Sequence, residues 1–140
     1  FPKERVMLYQ EFYIEKYDWQ VYVFYDVMPE DVDSIMPCLY DLGCSAEVAK
    51  AAYNNITSDV FNTGLTFSKN EKTCIVLGRT TDRANFAHTF THEIGHCAIH
   101  IAKEYGIDPY GEELCYIIGG LGATMLPTAS KFLCECCNKK

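Results

Sequence analysis

The chain has 140 residues, of which 49% are hydrophobic, 22% charged and 14% aromatic; these proportions exclude an intrinsically disordered protein and point to one domain around one core. A formal net charge of −7 argues against a protein that works by neutralising nucleic-acid phosphates or an anionic membrane surface, since both need a lysine and arginine excess. No stretch approaches the run of about 20 apolar residues that a spanning helix needs.

The opening Phe1-Pro2-Lys3-Glu4-Arg5 is no signal peptide, and the absence of an initiator methionine leaves room for a leader or neighbouring domain upstream. A short helical turn is expected between Arg5 and Lys16, followed by a strand over Trp19 to Tyr25, which is β-branched and aromatic without helical period. Pro29-Glu30-Asp31 suits a helix first turn, and the run reaches Leu42 with Gly43 as its stop, kinked or divided by Pro37. Ser45-Ala46-Glu47 opens a second, alanine-rich helix through about Asn55. Asn62-Thr63-Gly64 reads as a turn, Leu65 to Phe67 as a short strand, Ser68 to Lys72 as a polar hairpin loop and Thr73 to Leu77 as its second strand. Thr81 is the expected N-cap of a long helix that Gly106 stops after Tyr105. A last helix is expected from about Tyr110-Gly111-Glu112 to Met125, with Pro127 beyond its end and Gly119, Gly120 and Gly122 weakening its second half.

Eight cysteines raise a disulfide or metal framework, yet Cys38, Cys74, Cys97 and Cys115 lie in apolar surroundings where a thiol acts as a small hydrophobe. A reduced, intracellular (cytoplasmic) protein is the favoured reading, with disulfides second. The tail Cys134-Glu135-Cys136-Cys137 lacks the paired spacing of a structural zinc site.

His92-Glu93-Ile94-Gly95-His96 is an H-E-x-x-H pattern inside the long helix. Residues four apart share a helix face, so both imidazoles can reach one Zn2+, while Glu93 projects beside the metal and can take a proton from a zinc-bound water. The apolar neighbours Phe86, Phe90, Ile94, Cys97, Ala98 and Ile101 imply a largely buried helix in which unpartnered histidines would be costly. Gly95 leaves the helix surface bare beside the pair, and Thr91 is small. A third ligand is needed, and Glu112 and Glu113 begin the next helix 16 and 17 residues after His96. Glu112 is favoured because Tyr116 shares its face and offers a phenol to a developing oxyanion, with His100 and Tyr110 as rival donors. Glu113 then reads as a solvated first-turn acid. His88, His92, His96 and His100 step by four residues, and the drift of about 40° per step keeps the outer two from both joining one metal.

Thr89-Phe90-Thr91-His92-Glu93-Ile94-Gly95-His96 followed by His100 resembles the T-x-x-H-E-x-G-H-x-x-x-H signature of small zincins of the ImmA/IrrE type, compact zinc metallopeptidases of bacteria, mobile elements and phages. Gly111 to Gly119 is similar to the E-x-x-A-Y-L-x-G stretch of small phage-type metallopeptidases, whose glutamate is the third ligand; the match falls on Glu112. Asn62 to Ser68 also resembles such proteins, so the likeness covers about residues 60 to 127 and leaves 1 to 60 unmatched. The E-A-N-x-F-A segment usual for the third ligand of that type is absent, as is its helix-turn-helix partner, and no substrate carries over.

The expected architecture is a single α+β minimal zincin-like domain, a small antiparallel or mixed sheet packed on the His88 to Tyr105 helix, with a glutamate-bearing helix after it. The expected activity is zinc-dependent hydrolysis of a peptide bond in a restricted protein target: His92, His96 and Glu112 hold the metal, Glu93 is the general base and Tyr116 the oxyanion donor. The alternatives are a zinc-stabilised regulatory or binding module of toxin, immunity or sensor type, and a disulfide-rich secreted protein with an accidental motif. Oligomeric state is not legible in the sequence.

Overall fold

The computed structural model describes residues 7–58, 64–80 and 82–138, with side chains through residue 131. Leu8–Ile14 is a strand (β1), where a helical turn is expected; Leu8, Phe12 and Ile14 point to the core and Tyr9, Glu11 and Tyr13 away from it. The period of two, in tyrosine, phenylalanine and isoleucine, outweighs any local helical preference. A 3₁₀ turn at Glu15–Tyr17 leads to Trp19–Val27 (β2), antiparallel to β1.

β2 is buried on both faces, so a helical layer must cover each. Trp19, Val21, Val23 and Tyr25 face one layer; Tyr22 and Phe24 face the other, and Val27 joins them after a register shift. Within that shift Asp26 has φ 59°, and Arg79 holds its carboxylate at 2.9 and 3.1 Å.

After a 3₁₀ turn at Pro29–Asp31, Val32–Leu42 (α1) contains Pro37 and buries Val32, Ile35, Met36, Leu39 and Leu42. Gly43 ends it at φ 97°, a conformation that favours glycine. Ser45 Oγ accepts from Val48 N at 3.2 Å and starts Ala46–Ile56 (α2). The expected turn at Asn62 and Thr63 lies outside the described residues.

Gly64–Lys69 (β3) and Lys72–Gly78 (β4) form a hairpin tighter than expected. Only Asn70 and Glu71 form the turn, at φ 56° and 57°, the left-handed pair whose twist matches the strands. The hairpin tip caps α1: Asn70 Nδ2 donates to Leu42 O at 3.2 Å and Lys69 Nζ to Gly43 O at 3.0 Å. β4 runs parallel to β2, giving the sheet order β1-β2-β4-β3 with α1 and α2 as the crossover.

Arg83–Tyr105 (α3) is capped by Asp82, whose Oδ1 accepts from Asn85 N at 2.8 Å; Thr81, the expected cap, lies outside the described residues. Gly106, at φ 65°, stops it as expected. Glu112–Asn138 (α4) continues through Pro127. A proline removes one helix hydrogen bond and crowds the carbonyl four residues back. Here neighbouring carbonyls are taken up from the sheet: Gln10 Nε2 donates to Thr124 O at 3.1 Å, and the Tyr25 hydroxyl, which donates to Gln10 Oε1 at 2.6 Å, lies 3.3 Å from Met125 O.

The fold is therefore α+β, a four-stranded mixed sheet between α1 with α2 on one face and α3 with α4 on the other. Among the described residues no helix is long and apolar enough to cross a membrane.

A chain of buried and half-buried polar groups ties β2, β4 and β3 to α3. Trp19 Nε1 donates to Thr73 Oγ1 at 2.7 Å, Thr73 Oγ1 meets Ser68 Oγ at 2.7 Å, and Ser68 Oγ meets His100 Nδ1 at 2.6 Å. Thr73→Val should leave the buried Trp19 N–H without its acceptor and lower the unfolding free energy by about 1–3 kcal/mol in urea titrations, whereas Thr73→Ser should retain most of it. Equal loss in both variants would assign the effect to packing.

Candidate metal centre

The buried stripe of α3 runs through Phe86, Phe90, Glu93, Ile94, Cys97, Ala98 and Ile101. One border of the stripe lies over β3, the sheet edge: Thr66 Oγ1 donates to Glu93 Oε1 at 2.6 Å, and Ser68 holds His100. The opposite border, with Ala98 and Ala102, turns toward α4. On helical geometry His96 sits about 60° and His92 about 100° round from Glu93, beyond the β3 border and away from α4. Both are exposed, as is His88, which corrects the expectation of buried histidines: the apolar neighbours occupy the other face of the same helix.

The two motif histidines do converge. His92 Nε2 and His96 Nε2 stand 3.2 Å apart with their rings nearly perpendicular, at 78°. Two nitrogens each about 2.0–2.1 Å from a tetrahedral zinc stand about 3.3–3.4 Å apart, so the pair matches two corners of that tetrahedron. His88 stacks on His92 at 6.0 Å between ring centroids, and His100 is 6.2 Å from His96; neither ring joins the converging pair. Burial, helped by the charges of His96 and Lys103, pushes the His100 pKa down and favours its neutral form.

Glu93 is 5% exposed. Its side chain lies against Gly64, where an added Cβ would stand 2.5 Å from Glu93 Cγ and 2.7 Å from Oε2. Gly64 thus makes room for the carboxylate, and Thr66 fixes one of its oxygens. Neither residue stands out in the sequence by type. The signal available was alternation, small or polar at 64, 66 and 68 against apolar at 65 and 67, which puts the first set on the α3 side of β3. Beside the histidines, a side chain at Gly95 would meet nothing within 4 Å, in keeping with the bare surface expected there.

The α4 residues are brought elsewhere. Tyr116 is 74% exposed and, with Ile117, Gly120, Leu121 and Thr124, lines a cavity of about 390 Å³ against residues 12–17 at the β1 end of the sheet. The expected oxyanion role puts this phenol beside the metal; here it lines the cavity at the β1 end of the sheet. Glu112 lies one turn earlier on the same side of α4 and is exposed. Glu113 accepts from the Tyr17 hydroxyl at 2.6 Å and meets Lys16 Nζ at 3.4 Å. The Tyr17 hydrogen bond, then the Lys16 charge, hold its carboxyl below the usual range. Tyr110 is 95% exposed in the turn before α4. Among the described residues no group of three His, Cys, Asp or Glu side chains is assembled for a metal ion. The histidine pair fits zinc, and the three-ligand set is not brought together.

No family model, curated protein or solved structure matches the chain.

The pair's geometry sets an expectation for metal binding. Zinc titration against a chelating indicator should show an affinity that falls at least about tenfold in His92→Ala and in His96→Ala. His88→Ala should leave it unchanged. Equal affinity in all four proteins would remove the pair from the binding site.

Proposed function

We propose that this chain is a zinc-dependent hydrolase of peptide bonds, with His92 and His96 as metal ligands and Glu93 as the general base. The observation that carries the proposal is the 3.2 Å approach of the two Nε2 atoms, with a buried carboxylate anchored one residue after the first ligand. Zinc bound there would supply a Lewis acid and lower the pKa of a coordinated water toward neutrality.

The chain's own residues do the rest. Glu93 accepts a proton and later returns it to the leaving amine; the Thr66 hydroxyl and the close approach of Gly64 hold its carboxylate in one orientation, so little reorganisation is needed as the proton moves. Among the described residues β3 ends the sheet on the histidine side, and its outer edge offers backbone groups to an extended peptide segment. Glu112 is the third ligand the sequence offers, and its coordination requires the first turn of α4 to be set differently when metal is bound.

The separation of Glu112 from the pair favours a second reading, a zinc-binding regulatory module without turnover, whose remaining coordination positions are filled by water or by a partner. Zinc content and peptide cleavage in Glu93→Gln and Glu112→Ala distinguish the two. The hydrolase reading expects cleavage to fall at least about 100-fold in Glu93→Gln with zinc retained, and zinc to be lost in Glu112→Ala. Zinc retained in Glu112→Ala, with no cleavage of any peptide by the wild type, selects the binding module. Gly64→Ala should reduce cleavage with zinc retained, since the added methyl pushes Glu93 off Thr66.

A further inference from the structure

The outer flank of α3 offers half of a coordination sphere. His92 Nε2 and His96 Nε2 stand 3.2 Å apart on exposed rings, so a tetrahedral zinc on the pair has two corners filled and two turned to solvent. Among the described residues no third His, Cys, Asp or Glu side chain joins them, and bringing Glu112 there requires the first turn of α4 to be reset. A second copy of the chain supplies what is missing with both chains as they stand: a two-fold axis through the metal brings an identical pair to the other two corners.

The rest of the flank suits a copy of itself. Within about 60° of His92, α3 presents Asn85, His88, His96, Ile99 and Lys103 and no carboxylate. In a chain of net charge −7, two copies therefore meet here without acids of α3 facing one another. Ile99, 53% exposed one turn after His96, offers an apolar contact, and Gly95 puts no side chain beside the rings, where a Cβ would meet nothing within 4 Å.

We propose that one zinc bridges two copies of this chain, held by His92 and His96 of each, and that this dimer is a closed state of the site. The inference rests on the zinc-ligand role of the pair proposed above and gives the pair a second state. Four imidazole nitrogens leave no corner for a water or a substrate carbonyl, so hydrolysis belongs to the monomer. Opposite edges of a tetrahedron are perpendicular. Each edge here joins rings from successive turns of one helix and follows that helix's axis, so the two α3 helices cross near a right angle. So steep a crossing confines contact to the few side chains around the metal, Ile99 first among them; zinc holds the dimer together and its removal releases monomers.

The test is sedimentation velocity of the full chain under reducing conditions, after chelation and with zinc added, alongside zinc content. Chelated wild type should be a monomer, and zinc should tighten dimer formation at least about 100-fold in the wild type and in His88→Ala. His92→Ala and His96→Ala should stay monomeric with zinc. Both histidines are exposed, so their replacement leaves the core intact. The histidine-dependent zinc, wild type less His96→Ala, should come to about 0.5 per chain, a difference that sets aside zinc taken by cysteines. Monomers carrying about one histidine-dependent zinc per chain overturn the bridge and leave the ligand role of the pair standing. A dimer that persists in His96→Ala also overturns the bridge, and an absence of histidine-dependent zinc overturns both.

Discussion

The central strand pair β2 and β4 carries apolar side chains on both faces, and the rest of the structure follows from the need to cover both. Each fully buried Val, Ile or Leu is worth about 1.5–3 kcal/mol relative to exposure. Val21, Val23, Ile75 and Leu77 recruit α3 and α4; Phe24, Val27, Cys74 and Val76 recruit α1 and α2. A parallel pair also needs a long crossover, and α1 with α2 supplies it on the second face.

That division of faces sets the chemistry α3 can present. The sheet takes its buried stripe, α4 takes one flank, and β3 takes the other border. What remains is the outer flank, where His92 and His96 stand, and the border over β3, where Glu93 is buried. One short run of helix thus offers two nitrogen donors to solvent and anchors a carboxylate beneath a sheet edge. The cost of burying Glu93 is offset by the Thr66 hydroxyl and by the space a glycine leaves at position 64.

The two faces of the sheet carry different chemistry. On the α3 side the donors are imidazoles and a carboxylate, suited to a borderline divalent metal. On the α1 side the cluster is thiols, tyrosines and acids around a pocket. Cys74 and Thr73 are adjacent on β4 and face opposite layers, so a single strand contributes both to the polar chain that reaches His100 and to the second hydrophobic layer.

Local chemistry alone determined a large part of this protein. Gly43 and Gly106 end helices because a left-handed residue closes them, Ser45 starts one because its hydroxyl accepts a backbone N–H, and the four-residue spacing of His92 and His96 sets their convergence. The α+β class and the β3-β4 hairpin were legible for the same reason, since period and turn residues are local. Tertiary structure decided what depends on neighbours distant in sequence. β1 is a strand because β2 offers it a partner, and α4 passes Pro127 where Gln10 and Tyr25 meet nearby carbonyls. Glu112 and Tyr116 share a face, as their spacing requires, but whether that face meets the histidines depends on which flank of α3 the next helix packs against. No spacing within a helix encodes that choice; it is made by the apolar surface of β1 and β2 that α4 covers, and it sets Tyr116 against residues 12–17 at the β1 end of the sheet.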